Sequence, residues 1–247
     1  MVAALAVKLS VGEPVRGGFD VPATSQRTHA PFWATLGMFF SRPVLLLAAL
    51  GSGATQLITY GMGNFAILFL MREKGMTLHE VATWYALVVL VGMGGGILAS
   101  GRIIDRFVAR SRVAYALIPA ISLAVALPFY LGFVWAPGWP LALVFLTGAM
   151  ALNYFYLSSS VALVQEEVRP DQRVLAGALL LLVMNFIGLG LGPTYVGAAS
   201  DWFAAQHLPH PLQRALYTLT PAYVVAILLF LWLARLLRRE PSSGVTP

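Results

Sequence analysis

Charged residues fall in clusters along this chain, and between the clusters lie six stretches that carry none: residues 44–71, 81–100, 113–135, 139–164, 174–200 and 215–234. Each is long enough to cross a hydrocarbon core as a helix, which takes about 20 predominantly apolar residues. Transmembrane strands would instead show segments of about ten residues alternating apolar and polar, and no such alternation occurs. Pro119, Pro128, Pro193 and Pro221 lie inside the stretches. In lipid the backbone has little alternative to helix, and neighbouring helices make up for the hydrogen bonds a proline removes. The expected class is an all-α membrane protein, a six-transmembrane-helix bundle over residues 44–236.

Composition strengthens this reading. Of the 247 residues 59% are hydrophobic and 11% charged, against about 25% charged in an ordinary soluble domain. The net charge of +6 sits in short basic runs between apolar segments, which is where positive charge marks cytoplasmic flanks, so no nucleic-acid partner is expected. With the N-terminus inside, Lys8, Arg16, Arg27, Arg42, Arg102, Arg106, Arg110, Arg112, Arg169, Arg173, Arg235, Arg238 and Arg239 fall on the cytoplasmic side. Only Arg72, Lys74 and Arg214 fall outside. That asymmetry predicts a multi-pass protein of the cell (inner) membrane with both termini cytoplasmic. The chain has no cysteine, so disulfides and cysteine-ligated metals are excluded; no metal site and no cofactor are expected.

Outside the bundle, residues 1–12 form an apolar stub too short to span and without the features of a cleavable leader. Residues 13–43, rich in Gly, Pro, Ser and Thr at their start, are expected as a cytoplasmic linker, and residues 237–247 as a cytoplasmic tail. The stub resembles the end of a preceding transmembrane helix; an amphipathic or disordered tail is the alternative. Motifs for chemistry are missing: there is no Gly-x-Ser-x-Gly, no His-Glu-x-x-His and no acidic pair within a span, so no enzymatic activity is expected. His79-Glu80 fits a helix start, with Thr77 as the N-cap and Glu80 three residues on. Tyr130, Trp135, Trp139, Trp202 and Tyr217, near span ends, are expected as interfacial anchors.

Two segments carry a resemblance. Between the second and third spans, Gly101, Asp105, Arg106 and Arg110 stand as in the loop signature of the major facilitator superfamily, with Val108 where that family often has Gly. Physically, Gly101 permits close helix approach, Asp105 can accept from amides at a helix N-terminus, and Arg102 or Arg106 can bridge to Glu166 and Glu167 on the same side. The expectation is a conformational latch of Gly101, Arg102, Asp105, Arg106, Arg110, Glu166 and Glu167; an ordinary basic loop is the plainer reading. The fifth span carries Asn185, Gly188, Gly192, Pro193, Gly197 and Ser200, with Asp201 directly after it. Gly188 and Gly192 have the small-xxx-small spacing that lets helices pack backbone to backbone, with Gly197 further along, and Pro193 permits a bend. Together these resemble the C-terminal six-helix half of spinster-like transporters of the major facilitator superfamily.

The resemblance implies half of a major facilitator fold, with the first and fourth spans lining a central cavity. On the first span Gln56, Thr59, Tyr60 and Asn64, with Thr55, recur on one face. On the fourth, Asn153, Tyr154 and Ser158 form a smaller patch. They are either substrate contacts or hydrogen-bonding glue between helices. The expected function is the second half of a secondary active transporter working by alternating access on an amphipathic or lipid-like small molecule. The partners expected are a missing N-terminal six-helix half or a second copy of the chain, membrane lipids and that substrate. The alternative is a non-transporting or decayed half-transporter serving as a membrane scaffold.

Overall fold

A computed structural model describes residues 31–239; the stub, the linker up to residue 30 and the tail from residue 240 lie outside the described residues. Six helices are long and apolar enough to cross a membrane, one for each expected span. After a short helix α1 (Phe32–Ser41) come α2 (Pro43–Arg72), α3 (Leu78–Val108), α4 (Ala114–Trp135), α5 (Trp139–Glu167), α6 (Pro170–Ala205) and α7 (Pro211–Arg239). Helix α1 lies within the segment expected as linker, so the final part of that segment is apolar helix instead. Three spans, α3, α6 and α7, run a turn or more beyond the uncharged stretches, because a helix continues past the hydrocarbon edge until a capping or turn residue stops it.

The starts and stops follow local chemistry. Proline occupies the first turn of α2, α5, α6 and α7, where its missing N–H costs nothing. Helix α3 opens with the expected capping box: Glu80 N–H donates to Thr77 Oγ1 at 3.4 Å, and Thr77 N–H donates to Glu80 Oε2 at 2.8 Å. Gly75, at φ +72°, makes the turn between α2 and α3 in a conformation that suits glycine. Three stretches widen into π-helix: Val81–Tyr85 and Val89–Gly94 in α3, and Phe186–Leu191 in α6. Helix α5 is interrupted at Tyr154.

Helix α2 is the hub. It packs on α5, α6 and α7, while α4 packs on α5 and α7, and α3 on α5. Of the most apolar part of α2, 72% is buried, against 28% for α3 and for α6; these two spans therefore keep large bare faces. The core between α2, α4 and α7 is aromatic, with Phe69 edge-on to Phe133 at 5.2 Å and Tyr130 against Tyr223 at 5.1 Å. Tyr130 is completely buried and its hydroxyl donates to the Leu216 carbonyl. The expectation of an interfacial anchor there is corrected: the residue lies a turn and a half inside its span and faces α7. Trp135, Trp202 and Tyr217 are exposed at helix ends.

Two internal prolines show how the backbone stays satisfied in lipid. Pro119 cannot donate to the Tyr115 carbonyl one turn back, and Ser159 Oγ of α5 donates to it at 2.6 Å. Pro221 leaves the Tyr217 carbonyl free, and Thr220 Oγ1 donates to it at 2.7 Å. Each replaces a lost main-chain hydrogen bond with a hydroxyl donor. At the end of the bundle opposite the arginine-rich loop, Glu73 accepts from the Leu212 and Gln213 amides at 2.9 and 3.0 Å. Lys74 Nζ donates to the Val134 and Ala136 carbonyls at 3.2 and 2.7 Å. Burial pushes the Lys74 ammonium below the ordinary lysine value, with the Glu73 carboxylate opposing. The two adjacent side chains thus tie the end of α2 to the start of α7 and the end of α4.

Candidate functional site: a polar band across α2, α3 and α5

The polar residues of α2 divide into two groups. Toward the helix centre Thr55, Gln56 and Thr59 are buried. Thr55 and Thr59 donate to the carbonyls one turn back, at 2.9 and 3.0 Å, and Gln56 Nε2 donates to Asn185 Oδ1 of α6 at 3.3 Å. Further along, Tyr60 is half-buried and Asn64 exposed, with Asn64 Nδ2 donating to the Tyr60 carbonyl at 2.9 Å. On α5, Asn153 is completely buried and donates to Tyr223 Oη at 3.0 Å. Ser158 meets Ser100 of α3 at 3.1 Å. Tyr154, at the interruption of α5, is half-buried and neighbours Tyr60 and Tyr85.

The residues named from sequence therefore separate. Tyr60 and Tyr154 come together on a partly open face with Tyr85 of α3, whose hydroxyl donates to the Gly63 carbonyl at 3.4 Å, and Asn64 follows Tyr60 one turn along α2. Gln56, Thr59, Asn153 and Ser158 lie between helices and bond other helices or their own backbone. Two of them keep a spare acceptor: Gln56 Oε1 and Asn153 Oδ1 are buried and have no hydrogen-bond partner among the described residues. Tyr85 was not found from sequence, because it is a lone tyrosine in an apolar stretch with no periodic polar companions.

The latch geometry differs from the expectation. Glu166 and Glu167 pair with Arg112, not with Arg102 or Arg106: Arg112 Nε is 3.8 Å from Glu166 Oε2, and Arg112 Nη2 bonds Glu167 Oε1. Arg42 adds a bond to the Glu167 carbonyl at 3.0 Å. The reason is helical geometry. Because α3 continues to Val108, Arg102, Asp105 and Arg106 still ride on an exposed helix surface, whereas Arg112 follows the turn and returns beside α5. Arg102, Asp105, Arg106 and Arg110 make no side-chain hydrogen bond or ion pair among the described residues. A Cβ on Gly101 would meet nothing within 4 Å, so that glycine makes no close helix contact within this bundle.

Comparison with known proteins agrees with this architecture. No family model matches the chain. It is 30% identical over 214 residues to an MFS-type efflux pump of Mycolicibacterium smegmatis, a match that takes in 86% of this chain and 48% of that protein. Its fold superposes on two structures of a bacterial homologue of the human lysosomal transporter Spinster. With the inward-facing, unoccupied form the TM-score is 0.78 at 23% identity, covering 98% of this chain and 58% of that one. With the inward-facing, occupied form it is 0.71 at 22% identity, covering 98% and 57%. The chain has the fold of one half of a major facilitator protein. It spans about half the length of the relatives it matches.

In this half-fold the glycines of α6 lie against α2. A Cβ on Gly188 would fall 2.6 Å from Gln56 Cβ, and one on Gly192 2.7 Å from the Leu57 carbonyl oxygen and 3.0 Å from Gly61 N, so α6 meets α2 backbone to backbone. Gly197 has ordinary contact with Phe65, at 3.5 Å. Pro193 follows directly on the π-helical turns, which end at Leu191, so the widened helix and the proline's missing donor coincide. A second glycine contact, of α3 on α5 through Gly92 and Gly96, was not read from the sequence. A Cβ on Gly96 would overlap the Ala151 backbone, and one on Gly92 would lie 3.1 Å from the Thr147 carbonyl oxygen.

Proposed function

We propose that this membrane bundle is the second six-helix half of a secondary transporter that moves an amphipathic or lipid-like small molecule by alternating access, two bundles rocking about a central site. The observation that carries the reading is the open band of Tyr60, Asn64, Tyr85 and Tyr154. It gathers hydroxyls and an amide from three helices onto a surface that is otherwise apolar. Neutral hydrogen-bonding groups flanked by aromatic rings suit a molecule with a small polar head and an apolar body better than a sugar, which needs more partners. The relative described as an efflux pump supports outward movement. The bare faces of α3 and α6 are where a second bundle would seat, either an N-terminal six-helix half or another copy of this chain.

In this reading both termini are cytoplasmic in the inner membrane, and the arginine-rich loop with Arg112, Glu166 and Glu167 forms a cytoplasmic latch. Arg112 locks α4 to α5, which leaves Asp105 and Arg106 free to engage the partner bundle. The test is export of labelled lysophosphatidylcholine from cells expressing the chain together with its first half, and separately the chain alone. Tyr60→Ala and Tyr154→Ala should each lower export at least tenfold with unchanged membrane levels, the order expected for about 1.4 kcal/mol or more of lost contact. Unchanged export in both variants would remove the band from the substrate path.

A further inference from the structure

An apolar groove of about 540 Å³ runs between α3, α4 and α5, walled by Phe107, Leu117, Ile121, Val125 and Leu152. Its mouth is at the arginine-rich loop, where Arg110 and Ser111 line it. We infer that this groove holds one chain of a phospholipid with a negatively charged headgroup, its phosphate bound by Arg110 and Ser111.

Three observations carry the assignment. The first is depth. From Val113 at the mouth to Val125 at the base is twelve residues of α4, about 18 Å at 1.5 Å per residue, close to the thickness of one hydrocarbon leaflet, about 15 Å. The second is polarity. Beyond the mouth the lining contributes one hydroxyl, that of Ser122, which already donates to the Pro119 carbonyl at 2.9 Å; the groove thus offers an alkyl chain apolar wall along its length. The third is charge. Arg112, two residues from Arg110, is taken up by Glu166 and Glu167, while Arg110 is exposed and has no carboxylate within ion-pair distance among the described residues. Ser111 Oγ accepts from the Val113 amide at 3.3 Å, which leaves its own proton free to donate.

A guanidinium and a hydroxyl beside each other at the membrane surface suit a phosphate diester, since arginine matches phosphate oxygens in paired hydrogen bonds. A zwitterionic lipid offers the same phosphate, but its ammonium would lie against Arg102, Arg106 and Arg110. The preference is therefore for a headgroup of net negative charge. The inference rests on the groove and its mouth and holds whichever side of the membrane the loop faces.

The experiment is native mass spectrometry of the delipidated full chain with dioleoylphosphatidylglycerol or dioleoylphosphatidylcholine as probe. The expected result is a single retained phosphatidylglycerol bound about fivefold or more tightly than phosphatidylcholine, the ratio given by about 1 kcal/mol for one arginine at a lipid surface. Arg110→Gln should bring the two lipids within about twofold of each other, which is what removing that one charge predicts. Ile121→Trp, on a residue 59% exposed and so harmless to folding, should fill the groove and weaken both. Arg214→Gln, at the opposite end, should change neither, and inorganic phosphate should not displace the lipid. Equal binding of both lipids by the unaltered chain overturns the inference. So does a preference that survives Arg110→Gln, or one lost in Arg214→Gln.

Discussion

Two helix contacts in this bundle are counterparts. Helix α3, the second of the first three spans, packs on α5, the first of the last three. Helix α6, the second of the last three, packs on α2, the first of the first three. In each, a glycine pair four residues apart meets the partner's backbone: Gly92 and Gly96 against Thr147 and Ala151, Gly188 and Gly192 against Gln56, Leu57 and Gly61. In each, a π-helical stretch contains the first glycine of the pair. In each, a polar bridge flanks the pair: Ser100 to Ser158 at 3.1 Å, and Gln56 to Asn185 at 3.3 Å. The difference lies in tightness and completion. The α3–α5 contact holds the single closest approach, at Gly96, and both its hydroxyls are bonded. The α6–α2 contact is even, at 2.6 and 2.7 Å, and leaves Gln56 Oε1 without a partner among the described residues. One bundle thus joins its two halves in the same way twice, once as a finished contact and once with an acceptor in reserve beside the candidate site.

Breaking the closest approach should have the largest effect. In Gly96→Ala the new methyl meets the Ala151 backbone itself, which no side-chain rotation can relieve, so α3 and α5 must move apart. Overpacking of this kind costs about 3 kcal/mol at the upper end of its usual range. Thermal unfolding of the purified chain in detergent should show the largest drop in midpoint of any single glycine substitution in the bundle. A drop smaller than that of Gly192→Ala would reverse the ranking of the two contacts. Gly192→Ala comes next. Its methyl lies 2.7 Å from the Leu57 carbonyl oxygen, and the cost expected is about 2 kcal/mol.

The unfinished bridge gives a smaller effect with a different signature. Gln56→Leu removes one long hydrogen bond and also a buried acceptor that has no partner. The two nearly cancel, and the stability change should stay within about 1 kcal/mol. If the spare oxygen serves a substrate, the same variant lowers export far more than it lowers the unfolding midpoint. Ser158→Ala at the finished bridge, which leaves Ser100 bonded to the Ile97 carbonyl at 2.8 Å, should leave export unchanged. Equal loss of export in both variants would erase the functional distinction between the contacts.

How much of this was legible in the sequence follows from geometry. The six spans were plain, since charge-free length is a property of the chain itself. The α6 glycines were also plain, because Gly188, Gly190 and Gly192 recur at even spacing, which includes the four-residue helical spacing, with a proline beside them. The α3 pair was hidden inside Gly92-Met93-Gly94-Gly95-Gly96, where every spacing from one to four occurs and no single face stands out; a Cβ on Gly94 or Gly95 meets nothing within 4 Å. The glutamates' partner was not legible among four arginines within eleven residues, because the choice depends on where α3 stops. The polar faces of α2 and α5 were found as lists of residues. Which of them face inward depends on the interruption at Tyr154 and the rotation of α2 against α6, and neither is written in the spacing of polar positions.

The smallest expected effect tests whether the glycines work by position or by number. Gly95 and Gly190 sit beside the two contacts but point away from them, and a Cβ on either meets open space. Neither has the positive φ that strains an L-residue. An alanine at such a site loses nothing in packing and removes backbone freedom from the unfolded chain, a gain of about 0.5 kcal/mol. Gly95→Ala and Gly190→Ala should therefore raise the unfolding midpoint slightly, or leave it in place, while Gly96→Ala, one residue along, lowers it most. If either outward alanine destabilises the bundle as much as Gly192→Ala does, close approach is not what these glycines supply. The flexibility of the π-helical turns would then be the property shared by the two contacts.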